Sequence, residues 1–102
     1  MKRLTLIALV FAAGLAPGCQ SENALPHRER GNQYLSAQNW ADAAKEYEQS
    51  LKIRPDQPEA RHGLARAYIG LGRPLEGAEQ AKIAFSQRPE NAEYADTVAE
   101  AL

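Results

Sequence analysis

The chain has 102 residues, 44% hydrophobic and 25% charged, which is room for one domain and too much apolar content for wholesale disorder. Beyond Lys2 and Arg3 it carries 10 basic against 13 acidic residues, a balance that excludes a polyanion-binding surface and with it nucleic acid as a partner. One cysteine, Cys19, and two histidines, His27 and His62, exclude an intramolecular disulfide and leave a structural zinc site short of ligands.

Lys2 and Arg3 open the chain, and Leu4 to Leu15 follow without a charge. As a helix this run rises only about 18 Å, short of a hydrocarbon core of roughly 30 Å. Its length suits the apolar region of a secretory signal, roughly 7–15 residues. Pro17 and Gly18 break the helix just before Cys19. Leu15-Ala16-Pro17-Gly18-Cys19 resembles the lipobox of bacterial lipoproteins, from which Pro17 and Ala16 depart. That resemblance implies a diacylglyceryl group on the Cys19 thiol, cleavage before Cys19 and an acylated new amino terminus. The other reading of the same residues is an ordinary cleaved signal that leaves a free thiol. Two or more acyl chains hold a protein at a membrane, where one alone is marginal. Gln20, where aspartate would signal inner-membrane retention, implies a lipid-anchored protein of the cell envelope, on the outer membrane and facing the periplasm. Residues 1–18 are thus expected to be a signal peptide and 19–25 the lipidated cysteine and a short tether.

Residues 26–102 repeat at a period of 34. Tyr34 aligns with Tyr68 and Leu102, Gly31 with Ala65 and Ala99, Ala44 with Ala78, and Arg54-Pro55 with Arg88-Pro89. One supersecondary unit stacked on itself gives such a pattern. Pro26 and Pro58 suit first helical turns, predicting first helices over 26–38 and 58–71. Asn39 is a candidate cap and Gly72 a left-handed stop. Second helices are predicted over 40–53 and 74–87, closed by Pro55 and Pro89. Trp40, Ala43, Ala44, Tyr47 and Leu51 form one apolar face. Asn91 is placed to cap a last helix over 92–102.

These co-phased residues resemble the tetratricopeptide repeat. Gly31, Tyr34, Ala43, Tyr47 and Pro55 match its pattern in one copy, and Leu64, Ala65, Tyr68, Ala84 and Pro89 in the next. The resemblance implies an all-α, α-α superhelix: repeat 1 over 24–57, repeat 2 over 58–91, and a capping helix over 92–102. Arg30 stands where leucine is usual, as befits a first repeat. Gly77 and Ala81 replace an alanine and an aromatic, so the second copy is expected to be looser.

In that family the first helix of each pair lines a concave groove that takes a peptide or a helix. The partner-binding groove expected here holds Arg28, Asn32, Leu35, His62, Arg66 and Ile69, with Asp96 and Glu100 on the last helix; the other reading of this stripe is a solvated helix face. Arg28 and Arg66 suggest a carboxylate on the partner. The family's carboxylate clamp for chaperone tails is set aside, because Gly63 stands where it needs asparagine and Glu93 and Thr97 replace its later cations. No phosphate loop, zinc-protease motif or nucleophile elbow is present; no catalytic residue, metal or cofactor is expected, and the protein is not read as an enzyme.

The expected function is an adaptor or scaffold for a protein or peptide partner in envelope assembly (pilus, secretion or outer-membrane machinery). Two rivals stay open: a structural protein that forms homo-oligomers through its end faces, and a periplasmic accessory to a peptidoglycan enzyme. Two and a half repeats fall below the roughly three that a solenoid normally needs. Residues 20–102 are therefore expected to melt at low temperature or to self-associate. Light scattering combined with a thermal melt checks this, and a monomer folded above about 80 °C contradicts it.

Overall fold

The computed structural model describes residues 23–102. The lipobox and its leader lie outside the described residues. Five helices follow in order: α1 (Leu25–Ser36), α2 (Trp40–Ile53), α3 (Pro58–Gly70), α4 (Pro74–Gln87) and α5 (Ala92–Ala101). Each is antiparallel to its neighbour across a short turn. In addition α1 packs on α3, and α3 on α5, so the first helices of successive hairpins form one continuous face. No helix among the described residues is long and apolar enough to cross a membrane.

Proline fixes where three helices begin. Pro26, Pro58 and Pro74 occupy the first turns of α1, α3 and α4, where the missing N–H costs little. Asn91 caps α5 as expected, its Oδ1 accepting from the Glu93 N–H at 3.0 Å. Asn39 does not cap α2 with its side chain; its Nδ2 donates to Asp42 Oδ2 at 2.9 Å instead.

The two hairpin turns share one geometry. After α3, Gly72 takes φ +78°, its N–H donates to the Ile69 carbonyl and the Arg73 N–H donates to the Tyr68 carbonyl. This is a Schellman closure. The Arg73 guanidinium then lies 4.6 Å from the centre of the Tyr68 ring. One period earlier, Gln38 takes φ +61°, with Gln38 N–H on the Leu35 carbonyl and Asn39 N–H on Tyr34. The first helix thus ends at Ser36, two residues before the expected 38, because the chain turns left-handed there.

The core runs between α2 and α3. Ala43, Ala44, Tyr47 and Leu51 meet Ala60, Leu64, Ala67 and Tyr68, with Tyr34 and Leu35 packed at its edge. Tyr47 is fully buried. A Cβ on Gly31 would sit 2.8 Å from its ring, and one on Gly63 would overlap it. Ser50 and Gln57 form a buried polar knot beneath. The Ser50 hydroxyl lies 3.0 Å from the Ala24 carbonyl and 3.2 Å from Gln57 Oε1. Gln57 Nε2 closes α2 by donating to the Ser50 and Arg54 carbonyls.

In the second hairpin α4 and α3 approach closely at one point. Gly77 is buried, and a Cβ there would stand 2.9 Å from the Ala65 carbonyl oxygen. The glycine read as a defect is what lets α4 come close to α3.

Two substitutions probe these points. Gln38→Gly should raise stability by about 0.5–1 kcal/mol, since a side chain in the left-handed region is strained. Gly63→Ala should lower it by about 1–3 kcal/mol through overpacking on Tyr47, despite alanine's better helix propensity. Urea denaturation of residues 20–102 measures both.

Candidate functional site

On the face shared by α1, α3 and α5, Arg28, Arg30 and Glu59 stand in closed pairs. Arg28 Nη1 stands 3.6 Å from Glu59 Oε1, and Arg88 Nη2 stands 3.3 Å from Glu59 Oε2. Glu46 takes His27 Nδ1 at 2.8 Å and Arg30 Nε at 3.3 Å. Burial raises the Glu46 pKa, but the hydrogen bond from His27 and the Arg30 charge outweigh it and hold the carboxyl below its ordinary range. Asn32 is exposed and accepts from the Tyr47 hydroxyl. Burial pushes that phenol up to about 12, so it stays a donor.

His62 faces α5. Its Nε2 lies 2.8 Å from Thr97 Oγ1 and its ring 4.8 Å from the Tyr94 ring. Burial lowers its pKa; Glu93 and Glu100 oppose that shift and Arg66 adds to it. In the first hairpin an aromatic from α2 bridges the first helices. In the second, Ala81 stands at that register, and the His62–Tyr94–Thr97 contact joins α3 to α5.

At the far end of this face a cleft of about 210 Å³ opens between Trp40, Arg66, Ile69, Gly70 and Glu100. Trp40, the first residue of α2, lies against Gly70 so closely that a Cβ there would overlap the indole. The cleft thus has an apolar floor with an exposed cation on α3 and an exposed anion on α5. Among the described residues neither Arg66 nor Glu100 takes part in an ion pair within 4.0 Å. No three His, Cys, Asp or Glu side chains among them gather as a metal centre requires.

Of the six groove residues expected from sequence, Arg66 and Ile69 line the cleft. The other four do not. Arg28 is held by Glu59, Asn32 by Tyr47, His62 by Thr97, and Leu35 packs half-buried against the core. Trp40 and Gly70 escaped the sequence reading. Trp40 falls in phase with Ala43, Ala44 and Tyr47, so its spacing placed it in the core, yet it is only half-buried. Gly70 did carry a signal. A glycine inside a helix costs about 1 kcal/mol, and Gly72 already serves the turn, so Gly70 had to answer to a close contact.

Stacked helical hairpins with a grooved first-helix face define a helical-repeat scaffold. The tetratricopeptide repeat model matches residues 34–101, and the chain belongs to that family. It is similar to Hsp70-Hsp90 organizing protein 2 of Arabidopsis thaliana, 34% identical over 62 residues, which is 61% of this chain and 11% of that protein. It is similar also to U-box domain-containing protein 70 of Oryza sativa subsp. japonica, 35% identical over 63 residues, 62% of this chain and 8% of that one. The chain therefore spans about a tenth of these relatives' length. Among solved structures it resembles the first TPR of Spaghetti (RPAP3) bound to the HSP90 peptide SRMEEVD, with a TM-score of 0.74 and 21% identity, over 79% of this chain and 64% of that one.

The His62 environment predicts a pH dependence. Its unfolded pKa is the ordinary 6.5 and its folded pKa is lower. Below pH 6.5 the unfolded chain binds a proton that the folded chain resists, so stability drops as pH is lowered until the half-buried imidazole is also protonated. His62→Gln should flatten this part of the stability profile; equal slopes in both proteins from pH 7 to 5 would count against it.

Proposed function

We propose that this protein is a membrane-anchored interaction module that binds a segment of another protein on its first-helix face and positions it in the cell envelope. The cleft between Trp40, Ile69 and Gly70 with its two flanking charges is the observation that carries the binding part. Family membership supports it: the solved relative holds a peptide from HSP90. Anchoring rests on the sequence, through the basic start, the short apolar run and Cys19 after Gly18. In this reading residues 1–18 are removed and Cys19 is lipidated. Residues 24–57 and 58–91 form the two repeats that present the groove, and 92–102 closes the stack. The outer membrane, facing the periplasm, is the location that Gln20 favours. No enzymatic step belongs to this reading.

Chaperone tails of the HSP90 kind do not fit the site. Gly63 is filled by Tyr47 and Arg28 is engaged by Glu59. Thr97 and Glu93 occupy α5 where cations would be needed. A titration of residues 20–102 with the SRMEEVD peptide is expected to give no saturable binding.

Anchoring and capture are tested together. Mass spectrometry of the membrane-extracted protein should show an acylated residue 19, and Cys19→Ser should move the protein to the soluble fraction. Envelope proteins recovered with the anchored protein should be lost on Arg66→Glu, whereas Arg28→Gln should matter less. Recovery that ignores Arg66 would overturn the groove reading.

A further inference from the structure

The cleft also says what its guest looks like, and this inference rests on the proposed binding role. At about 210 Å³ it is smaller than the roughly 300–1,000 Å³ of pockets that enclose cofactors or drug-sized ligands. It exceeds the roughly 150 Å³ apolar cavity that holds a benzene ring. That is room for one large side chain. The floor favours an aromatic or long aliphatic one, because the Trp40 indole, seated on Gly70, and Ile69 offer apolar surface. An indole backed by helix gives up little conformational freedom when a guest stacks on it.

The charges complete the description. Arg28, Arg30, His27, Arg88, Glu46 and Glu59 satisfy one another within the fold. Arg66 and Glu100 share the cleft from different helices, yet no ion pair joins them to each other or to any other described residue. A guest with one charge would satisfy one wall and leave the other beside an apolar floor. We infer that the cleft recognises a peptide segment in which a large apolar side chain is flanked by an acidic residue on one side and a basic residue on the other. The apolar side chain enters between Trp40 and Ile69, the acid meets Arg66, and the base meets Glu100. Opposite charges placed this way add discrimination more than affinity, so a module built on one small cleft gains selectivity where it has little area to offer.

The test uses blocked pentapeptides, with both ends capped to remove terminal charge. They are Gly-Glu-Phe-Lys-Gly and Gly-Lys-Phe-Glu-Gly, with Gly-Gln-Phe-Gln-Gly and Gly-Glu-Ala-Lys-Gly as controls. Fluorescence of Trp40, the only tryptophan, reports binding directly to the mature lipidated protein in detergent. One charged Phe peptide should bind at least tenfold tighter than either control. Arg66→Gln and Glu100→Gln, both surface changes, should each remove most of that preference, and the double variant Arg66→Glu with Glu100→Arg should favour the other charge order. Trp40→Phe should keep binding, followed by calorimetry, while Trp40→Ala loses it. Equal binding of the Gln-flanked peptide, binding of free phenylalanine as tight as that of the peptide, or indifference to the charge swap would each overturn the inference.

Failure here is distinguishable from failure of the binding role. Benzoylphenylalanine at Ile69 in the membrane-borne protein crosslinks whatever occupies the cleft. Crosslinks to envelope-protein segments without a charged-apolar-charged triplet overturn the guest's identity and leave the adaptor intact. No crosslink at Ile69, and none from Asn32 or Asp96, overturns both.

Discussion

A phenol wedged between two glycines holds the first half of this fold together. Tyr47 on α2 meets Gly31 on α1 and Gly63 on α3, and neither position has space for a methyl group. Three helices therefore converge on one ring, and their spacing is set by its width. Because interiors are close-packed and distortion is costly, this contact fixes the angle between the first hairpin and the next first helix. Everything on the grooved face inherits its position from that angle. The hydroxyl is not wasted: buried and held as a donor, it reaches Asn32 at the surface and fixes that side chain.

The second hairpin solves the same problem with different atoms. Ala81 supplies no wedge, so α4 closes on α3 through Gly77 against the Ala65 backbone. The junction of α3 with α5 passes to His62, Tyr94 and Thr97. The first joint is steric and insensitive to pH. The second contains an imidazole whose charged form burial disfavours, and its neighbours Glu93, Glu100 and Arg66 pull in opposite directions.

The all-α repeat architecture was legible from the sequence because the 34-residue period repeats the residues that contact costs most to change: small ones where helices cross, prolines where they begin and stop. The site was legible only in part. Arg66 and Ile69 could be placed on the exposed stripe of α3 by counting, but period alone does not reveal which charges already have partners. Glu59 lies on α3 and Arg28 on α1, 31 positions apart, and no local pattern announces their contact. Trp40 was misplaced for a related reason. A helix has a phase but also ends, and at an end a side chain can lie against its neighbour, as Trp40 does on Gly70, and still leave one face open. Gln38 shows the complementary case: the register with Gly72 pointed to a left-handed residue, while its side chain concealed it.

The buried knot of Ser50, Gln57 and the Ala24 carbonyl has a mechanical meaning. It clasps the chain's point of emergence, just before α1, to the turn between α2 and α3. The cleft lies at the opposite tips of α2 and α3, roughly 20 Å away along helices that rise about 1.5 Å per residue. Force applied at residue 23 thus first meets the polar clasp, at the pole away from Trp40 and Gly70. In the proposed binding role, a guest held at the distal pole against a pull at residue 23 would load the hairpins lengthwise, along the direction in which helices are stiffest.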